Sequence, residues 1–427
     1  MLRMALASMS GTAIEFYDFY VYGTAAALVF GPLYFPTVSP LLGTLAAFGT
    51  FGIGFLARPL GAVVFGHLGD RRGRRPVLMV SLLLTGTATV AVGLVPTYDS
   101  IGLAAPLLLL VLRFAQGLGL GGEWGGAVLL TTEHAPEDRR ALWASFPQLG
   151  PTVGFLLANG LTLTLSAGLD EADYLAWGWR VPFWAAGLLA AAGLVLRSQV
   201  SETPQFQALE ATETRAALPF AELVRGHWRP VLLAAGGLSV VFATHYAITT
   251  WSLAYATERL EVGRTAMLVC IMASAVVSGC LTPFFAVLGD RYGRRPLCLT
   301  GCALLALWTV PLVALLHTGR PGWILLAFAG AAVPFAAVAA VVAAYLPELF
   351  EARVRCTGAA VGYNLAGVLG GALTPLVATT VARGSGPPWG VAAYLSALAV
   401  LSLACFARLP ETRPAARPGT ATEAAPA

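Results

Sequence analysis

The polar stretch Gly66-His67-Leu68-Gly69-Asp70-Arg71-Arg72-Gly73-Arg74-Arg75 recurs half a chain later as Ala286-Val287-Leu288-Gly289-Asp290-Arg291-Tyr292-Gly293-Arg294-Arg295. Each copy interrupts long apolar runs, with an Asp, a Gly three residues on, and a basic cluster. The chain is 57% hydrophobic and only 11% charged, against roughly 45–50% and about 25% for soluble domains. A duplicated loop in such a chain implies a duplicated membrane bundle. Internal repeats of that kind place a binding site where the halves meet, which is how secondary transporters are built.

Apolar runs of spanning length, about 20 residues, fall near 11–35, 43–66, 76–95, 103–130, 141–168 and 179–197. Six more fall near 230–256, 264–288, 296–317, 322–346, 356–382 and 390–408. The expected fold is all-α and integral to the membrane, twelve transmembrane helices in two pseudo-symmetric six-helix bundles. Residues 1–198 and 229–410 form the bundles, 199–228 a cytoplasmic central loop of surface helix and linker, and 411–427 a disordered Pro-, Ala- and Thr-rich tail. The N-terminus runs into the first apolar stretch without a cleavage site and is expected to stay as helix 1.

The formal charge of +4 comes from Arg, since the sequence has no Lys. Placing both termini in the cytoplasm puts Arg71, Arg72, Arg74, Arg75, Arg139, Arg140, Arg291, Arg294, Arg295, Arg353 and Arg355 on that side. The opposite loops hold few Arg and also Asp99, Asp170, Glu171 and Asp173, as the positive-inside rule requires of an inner-membrane protein. Basic residues confined to short loops make no nucleic-acid footprint. The six Cys all lie in the second half without a Cys-x-x-Cys or His partner, so they read as small core residues and no metal site is expected.

Helix 1 carries Glu15 and Asp18, three apart and so on one face, beside Tyr17. On translocon scales each intramembrane carboxylate costs around 2.5–3.5 kcal/mol, which marks a proton or ion pathway or, failing that, a structural ion pair. The natural partners are Arg58 on helix 2 and Arg113 on helix 4. Helix 4 aligns Arg113, Gln116 and Glu123 along one stripe, while Gly117, Gly121 and Gly125 form a small-residue ridge for close packing. The same window matches G-x-G-x-x-G but has no strand before it and no acidic residue at the ribose position, so it is no dinucleotide site.

The second half offers neutral groups: His245 and Tyr246 on helix 7, and Tyr363 and Asn364 on helix 11. Gln148 on helix 5 joins them as candidates for substrate contact, with Arg113, Arg58, Tyr17 and Gln116 from the first half. A lone His is more often a hydrogen-bonded packing residue than a proton carrier, although its ordinary pKa suits either role. In the polar loops, Glu133 through Arg140 matches Glu348 through Arg355 in the Glu and the final Arg. With Asp70, Arg71, Arg74, Asp290, Arg291 and Arg294 these form acid–base sets suited to an interdomain gate, or to topology control alone.

The Asp-Arg-x-Gly-Arg-Arg loops, the Arg113-Phe114-Ala115-Gln116-Gly117 string and the two-by-six arrangement resemble the major facilitator superfamily. Ile14–Gly23, Arg58-Pro59-Leu60-Gly61, Glu133–Pro136, Trp177–Phe183 and Glu202-Thr203-Pro204 bring the likeness closer to its metabolite:proton symporter branch. That branch includes carriers of alpha-ketoglutarate, shikimate, citrate and proline/betaine, and it more often has Trp where this chain has Phe16. The resemblance implies a monomeric, proton-driven importer of a small organic acid or zwitterion, working by alternating access and needing only a proton gradient as cofactor. It also implies Asp18 and Arg113 as the coupling pair, and the sequence leaves open whether Glu15 or Glu123 shares the proton. The alternative on the same scaffold is a proton-driven exporter. A membrane enzyme would need a nucleophile–base or metal set that the sequence lacks.

Overall fold

The computed structural model describes residues 2–72, 74–198, 219–351, 354–382 and 386–413. Twelve long helices carry the fold. In the first half they are α1 (Leu2–Leu28), α2 (Pro40–Arg72), α3 (Arg74–Leu94), α4 (Ala104–Gly121 continued by Glu123–His134), α5 (Arg140–Gly168) and α6 (Val181–Ser198). In the second they are α7 (Trp228–Arg259), α8 (Arg264–Tyr292), α9 (Arg294–His317), α10 (Pro321–Glu348), α11 (Arg355–Val381) and α12 (Trp389–Arg408). No strand occurs among the described residues. Ten of these helices are long and apolar enough to cross a membrane; the apolar part of α3 is the shorter Met79–Leu94. In α1 the polar residues Thr12, Glu15, Asp18 and Thr24 are turned inward.

An even number of crossings puts the start of α1 and the end of α12 at one face, here called the terminal face. Side chains such as Leu103, Val111, Leu188 and Leu307 are well exposed around the outside. An outer surface that is apolar while polar groups are buried suits a hydrocarbon surround. Within the first half α1 lies on α5 and α2 on α4; within the second α8 and α9 lie on α10. The halves meet where α5 packs on α8 and α10, and α2 on α11.

Small residues set the closest approaches. A side chain at Gly117 would run into the Gly54 carbonyl, and one at Gly121 into that of Arg58, so the α4 ridge seats directly on α2. Gly125 continues the ridge but faces the other half, where a Cβ would lie 3.2 Å from Ala360.

Three helices are less regular than their apolar runs suggest. The α4 path breaks at Gly122. π-helical turns interrupt α7 at Ala247–Trp251 and α11 at Gly367–Ala372, and such turns concentrate at functional sites. The first crossing also starts earlier than expected, at Leu2, because the Leu- and Ala-rich residues before Ser10 continue the helix. It ends at Leu28, and Phe30–Tyr34 forms a separate short turn.

The linker between the halves is described only in part: Pro219–Gly226 is a helix whose Leu223 packs with Val231, Phe350, Val354 and Val361, and 199–218 lie outside the described residues. Of the expected tail from 411 on, the described residues reach only Arg413. Glu411 accepts from the backbone N–H groups of Arg294 and Arg295 at 3.0 Å each, capping α9. Pro410 accepts from the Tyr345 hydroxyl at 2.7 Å, which fixes the chain just before it.

Candidate functional site

Two candidate sites lie side by side, joined through Phe19 and Tyr246. The first is a charge cluster inside the first half, where Glu15, Asp18, Arg58 and Arg113 are all buried. The expected direct pair between Asp18 and Arg113 is not formed: neither Asp18 carboxylate oxygen has a hydrogen-bond partner. Arg113 instead donates through Nη1 to Gln116 Oε1 at 3.1 Å, and Gln116 Nε2 donates to Thr89 Oγ1 at 2.7 Å. Thr89, Glu15 and Arg113 are the polar groups around Asp18. Thr89 on α3 was invisible as a site residue from sequence, where it is one of many helical Thr.

Both guanidinium groups are held by aromatic faces. Arg113 lies 4.0 Å from the Phe19 ring centre, 4.1 Å from that of Tyr22 and 4.9 Å from that of Phe51. Arg58 lies 4.1 Å from the same Phe19 ring and 4.7 Å from Phe55. Stacking of a desolvated cation on rings replaces part of the hydration it has lost. Gly54 leaves the space: a Cβ there would stand 2.6 Å from Arg113 Nε.

The second site is a cavity of about 120 Å³ between the halves. Its wall includes Phe16, Tyr20, Gln148 and Phe155 from the first half, and His245, Tyr246, Thr249, Ser274, Ser278, Phe335 and Tyr363 from the second. His245 stands among rings, 5.3 Å from Tyr20, 5.0 Å from Tyr246, and stacked on Phe335 at 5.9 Å. Its Nε2 has no hydrogen-bond partner. The π-helical turn in α7 contributes Ile248 and Thr249 to the wall.

Of the residues expected to meet substrate, Gln148, His245, Tyr246 and Tyr363 line this cavity. Arg58, Arg113, Tyr17, Gln116 and Asn364 do not line it. The two Arg are drawn back onto Phe19, and Gln116 is held between Arg113 and Thr89. The Tyr17 hydroxyl donates to the Pro182 carbonyl at 2.9 Å, tying α1 to α6. Asn364 Nδ2 donates to the Gly121 carbonyl at 3.0 Å, an acceptor freed by the break at Gly122. Phe19 and Tyr246, 6.0 Å apart, form the layer between the charge cluster and the cavity.

Towards the terminal face, the second copy of the duplicated loop bridges the halves. Asp290 Oδ1 and Oδ2 accept from the backbone N–H groups of Ala141 and Leu142, both at 2.9 Å, at the start of α5. Arg294 links Asp290 at 3.2 Å to Glu348 at 3.4 Å, and Arg140 of the other half reaches Glu348 at 3.5 Å. Gly293 between the helices has φ 109°, a conformation that favours Gly. Arg355 Nε donates to the Phe350 carbonyl, and Arg291 lies exposed beside Tyr292. The side chains of Asp70, Arg71, Arg74, Glu123 and Glu133 lie outside the described residues.

At the opposite face the halves also touch. Thr44 donates to Glu258 at 3.1 Å, and Arg264 lies 3.7 Å from Glu171. None of the six Cys is in a disulfide.

Comparison with known proteins gives the same architecture. The sequence profile of the Major Facilitator Superfamily matches residues 8–370 and again 271–427. An inner membrane metabolite transport protein of Escherichia coli K12, YhjE, is 40% identical over 420 residues, covering 96% of this chain and 94% of its own length. The shikimate transporter of the same strain is 38% identical over 405 residues (94% and 92% covered), and its proline/betaine transporter 33% over 421 (96% and 84%). Among solved structures, the partially occluded inward-open xylose transporter XylE from E. coli superposes with a TM-score of 0.77. The match spans 97% of this chain and 99% of that one at 19% identity.

Proposed function

We propose that this chain, which belongs to the major facilitator superfamily of membrane transporters, imports a small organic acid or zwitterion together with protons by alternating access. The observation that carries the reading is the separation of two unlike sites by a single aromatic layer. Charge sits in the first half around Asp18, Arg58 and Arg113; the neighbouring cavity is neutral, aromatic and hydroxyl-rich. Phe19 touches both Arg groups and also Tyr246 of the cavity wall, so a change on one side is felt on the other.

The cycle follows from those contacts. Asp18 takes a proton from the outer face and leaves Arg113 bound to Gln116, the arrangement seen here. Loss of the proton towards the cytoplasm restores a carboxylate that draws Arg113 off Phe19, with Glu15 and Glu123 as further carriers. Substrate meets Gln148, His245, Tyr246 and Tyr363, whose amide, imidazole and hydroxyl groups suit carboxylate and hydroxyl oxygens, while the surrounding rings suit a ring or a quaternary ammonium. A carboxylate reaches Arg58 or Arg113 only once Phe19 has shifted.

The Arg-rich terminal face is assigned to the cytoplasm. There Asp290, Arg294, Glu348 and Arg140 act as the inner gate, with Asp70, Arg71, Arg74, Glu133, Arg291 and Arg355 as its remaining members. The test is uptake of labelled shikimate-like acids, dicarboxylates and betaines into proteoliposomes with an imposed pH gradient. Accumulation of one class that collapses with a protonophore supports the reading; accumulation insensitive to it removes proton coupling.

A further inference from the structure

Between the cavity and the terminal face, the rings of Trp124 and Tyr363 lie 3.9 Å apart and 6° from parallel. They belong to different halves, Trp124 just past the α4 break and Tyr363 on α11. Tyr363 and Gln148 each lie eight residues into helices that start at the terminal face (363 − 355 and 148 − 140), about 12 Å deep at 1.5 Å per residue. Both also line the cavity, so this layer is its floor.

Gln148 fixes the floor in place. Its Oε1 accepts from Trp124 Nε1 at 3.3 Å, and its Nε2 donates across the interface to the Ala339 carbonyl at 3.3 Å. Both hydrogen bonds are long, and the amide that makes them faces the space where substrate would sit. A polar ligand group binding Gln148 from above competes with the indole N–H for the same oxygen.

We propose that the Trp124–Tyr363 stack is the seal between the central cavity and the terminal face, and that Gln148 is the latch through which a bound substrate loosens it. Substrate takes the Gln148 oxygen, the indole loses its anchor, and α4 and α11 part along two flat apolar faces. The inference rests on the alternating-access reading but on neither the proton nor the identity of the substrate. Trp124 thereby becomes a positioning residue for release, acting on the path, and Gln148 is the contact through which the cargo reaches it.

The test is accessibility of a single thiol, Ser274→Cys in the cavity wall of a Cys-free background, to a membrane-impermeant maleimide added at the terminal face. The parent should label slowly. Trp124→Ala should label faster by about tenfold, as loss of the stack and the indole hydrogen bond predicts. Trp124→Phe keeps a stacked ring but loses the indole N–H, so it should label at a rate between the parent and Trp124→Ala. Gln148→Ala breaks the same hydrogen bond, so it should label like Trp124→Phe and should no longer respond to a transported substrate that accelerates labelling of the parent. If Trp124→Ala does not fold, Tyr363→Ala takes its place with the same expectation. Labelling unchanged in a folded Ala variant, or equally fast in Trp124→Phe, overturns the seal; a Gln148→Ala protein that still responds to substrate overturns the latch. Loss of proton coupling elsewhere in the protein leaves all of these rates readable.

Discussion

Asp18 and Arg113 are buried in one cluster, yet the guanidinium donates to Gln116 at 3.1 Å and not to the carboxylate. Thr89 stands between them, accepting from Gln116 at 2.7 Å and donating to the Thr85 carbonyl at 2.8 Å. Its hydroxyl can serve one acceptor at a time, so a charged Asp18 competes with Thr85 for that proton. Under the proposed proton coupling, the charge on Asp18 reaches Arg113 and Phe19 through this intermediate.

Asp18→Asn keeps the shape and removes the titrating group. Accumulation against a gradient should be abolished, while exchange of labelled for unlabelled substrate persists at a measurable rate. Parallel uptake and exchange assays in proteoliposomes separate the two. Retained uphill uptake would move the coupling role to Glu15 or Glu123.

Arg113→Lys preserves charge but cannot stack on Phe19 and Tyr22 while also donating to Gln116. A desolvated cation–π contact is worth about 2 kcal/mol, so gradient-driven uptake should fall by about an order of magnitude or more. Because Arg113 is absent from the cavity wall, equilibrium binding should change much less. A collapse of affinity with unchanged coupling would show that Arg113 reaches substrate in another state of the cycle.

The two glycines of the α2–α4 contact should behave differently. At Gly117 an added Cβ meets the Gly54 backbone, which cannot yield, so Gly117→Ala should lower thermal stability and folded yield. At Gly54 it meets the end of the Arg113 side chain, which can move. Gly54→Ala should therefore fold and bind normally while losing gradient-driven uptake. Thermal unfolding monitored alongside transport distinguishes them, and equal stability losses would end the distinction.

Much of this was legible in the chain because periodicity and repetition survive without a partner. Apolar runs placed the crossings, the repeat placed the halves, and an i, i+3 spacing put Arg113 beside Gln116 as observed. What spacing on one helix cannot supply is the partner on another. The withdrawal of Arg58 and Arg113 onto Phe19 depends on α1, α2 and α4 meeting at one level. The role of Trp124 depends on a ring from the opposite half, and Asn364 serves a carbonyl that exists only because α4 breaks at Gly122. Glu411 looked like the first residue of a loose tail because a cap requires knowing which helix start lies within reach.

The duplicated loop gives the last prediction. Asp290 accepts two backbone N–H groups at the start of α5, a helix of the other half, where the exposed amides and the helix dipole favour a negative charge. These bonds join the two halves at the terminal face, so under the proposed alternating access they favour the state that is closed there. Asp290→Asn removes the charge and one acceptor. A loss of about 1.4 kcal/mol shifts the ratio of states roughly tenfold towards the inward-facing form. Single thiols in the two vestibules of a Cys-free protein report it, labelling faster from the terminal face and more slowly from the other, with binding preserved. Asp70→Asn should act in the same direction, and the sequence expects the larger effect there because Gly66 is replaced by Ala286 in the second copy. Labelling indistinguishable from the parent in both variants, with transport intact, would leave these loops as topology signals and take the gate away from them.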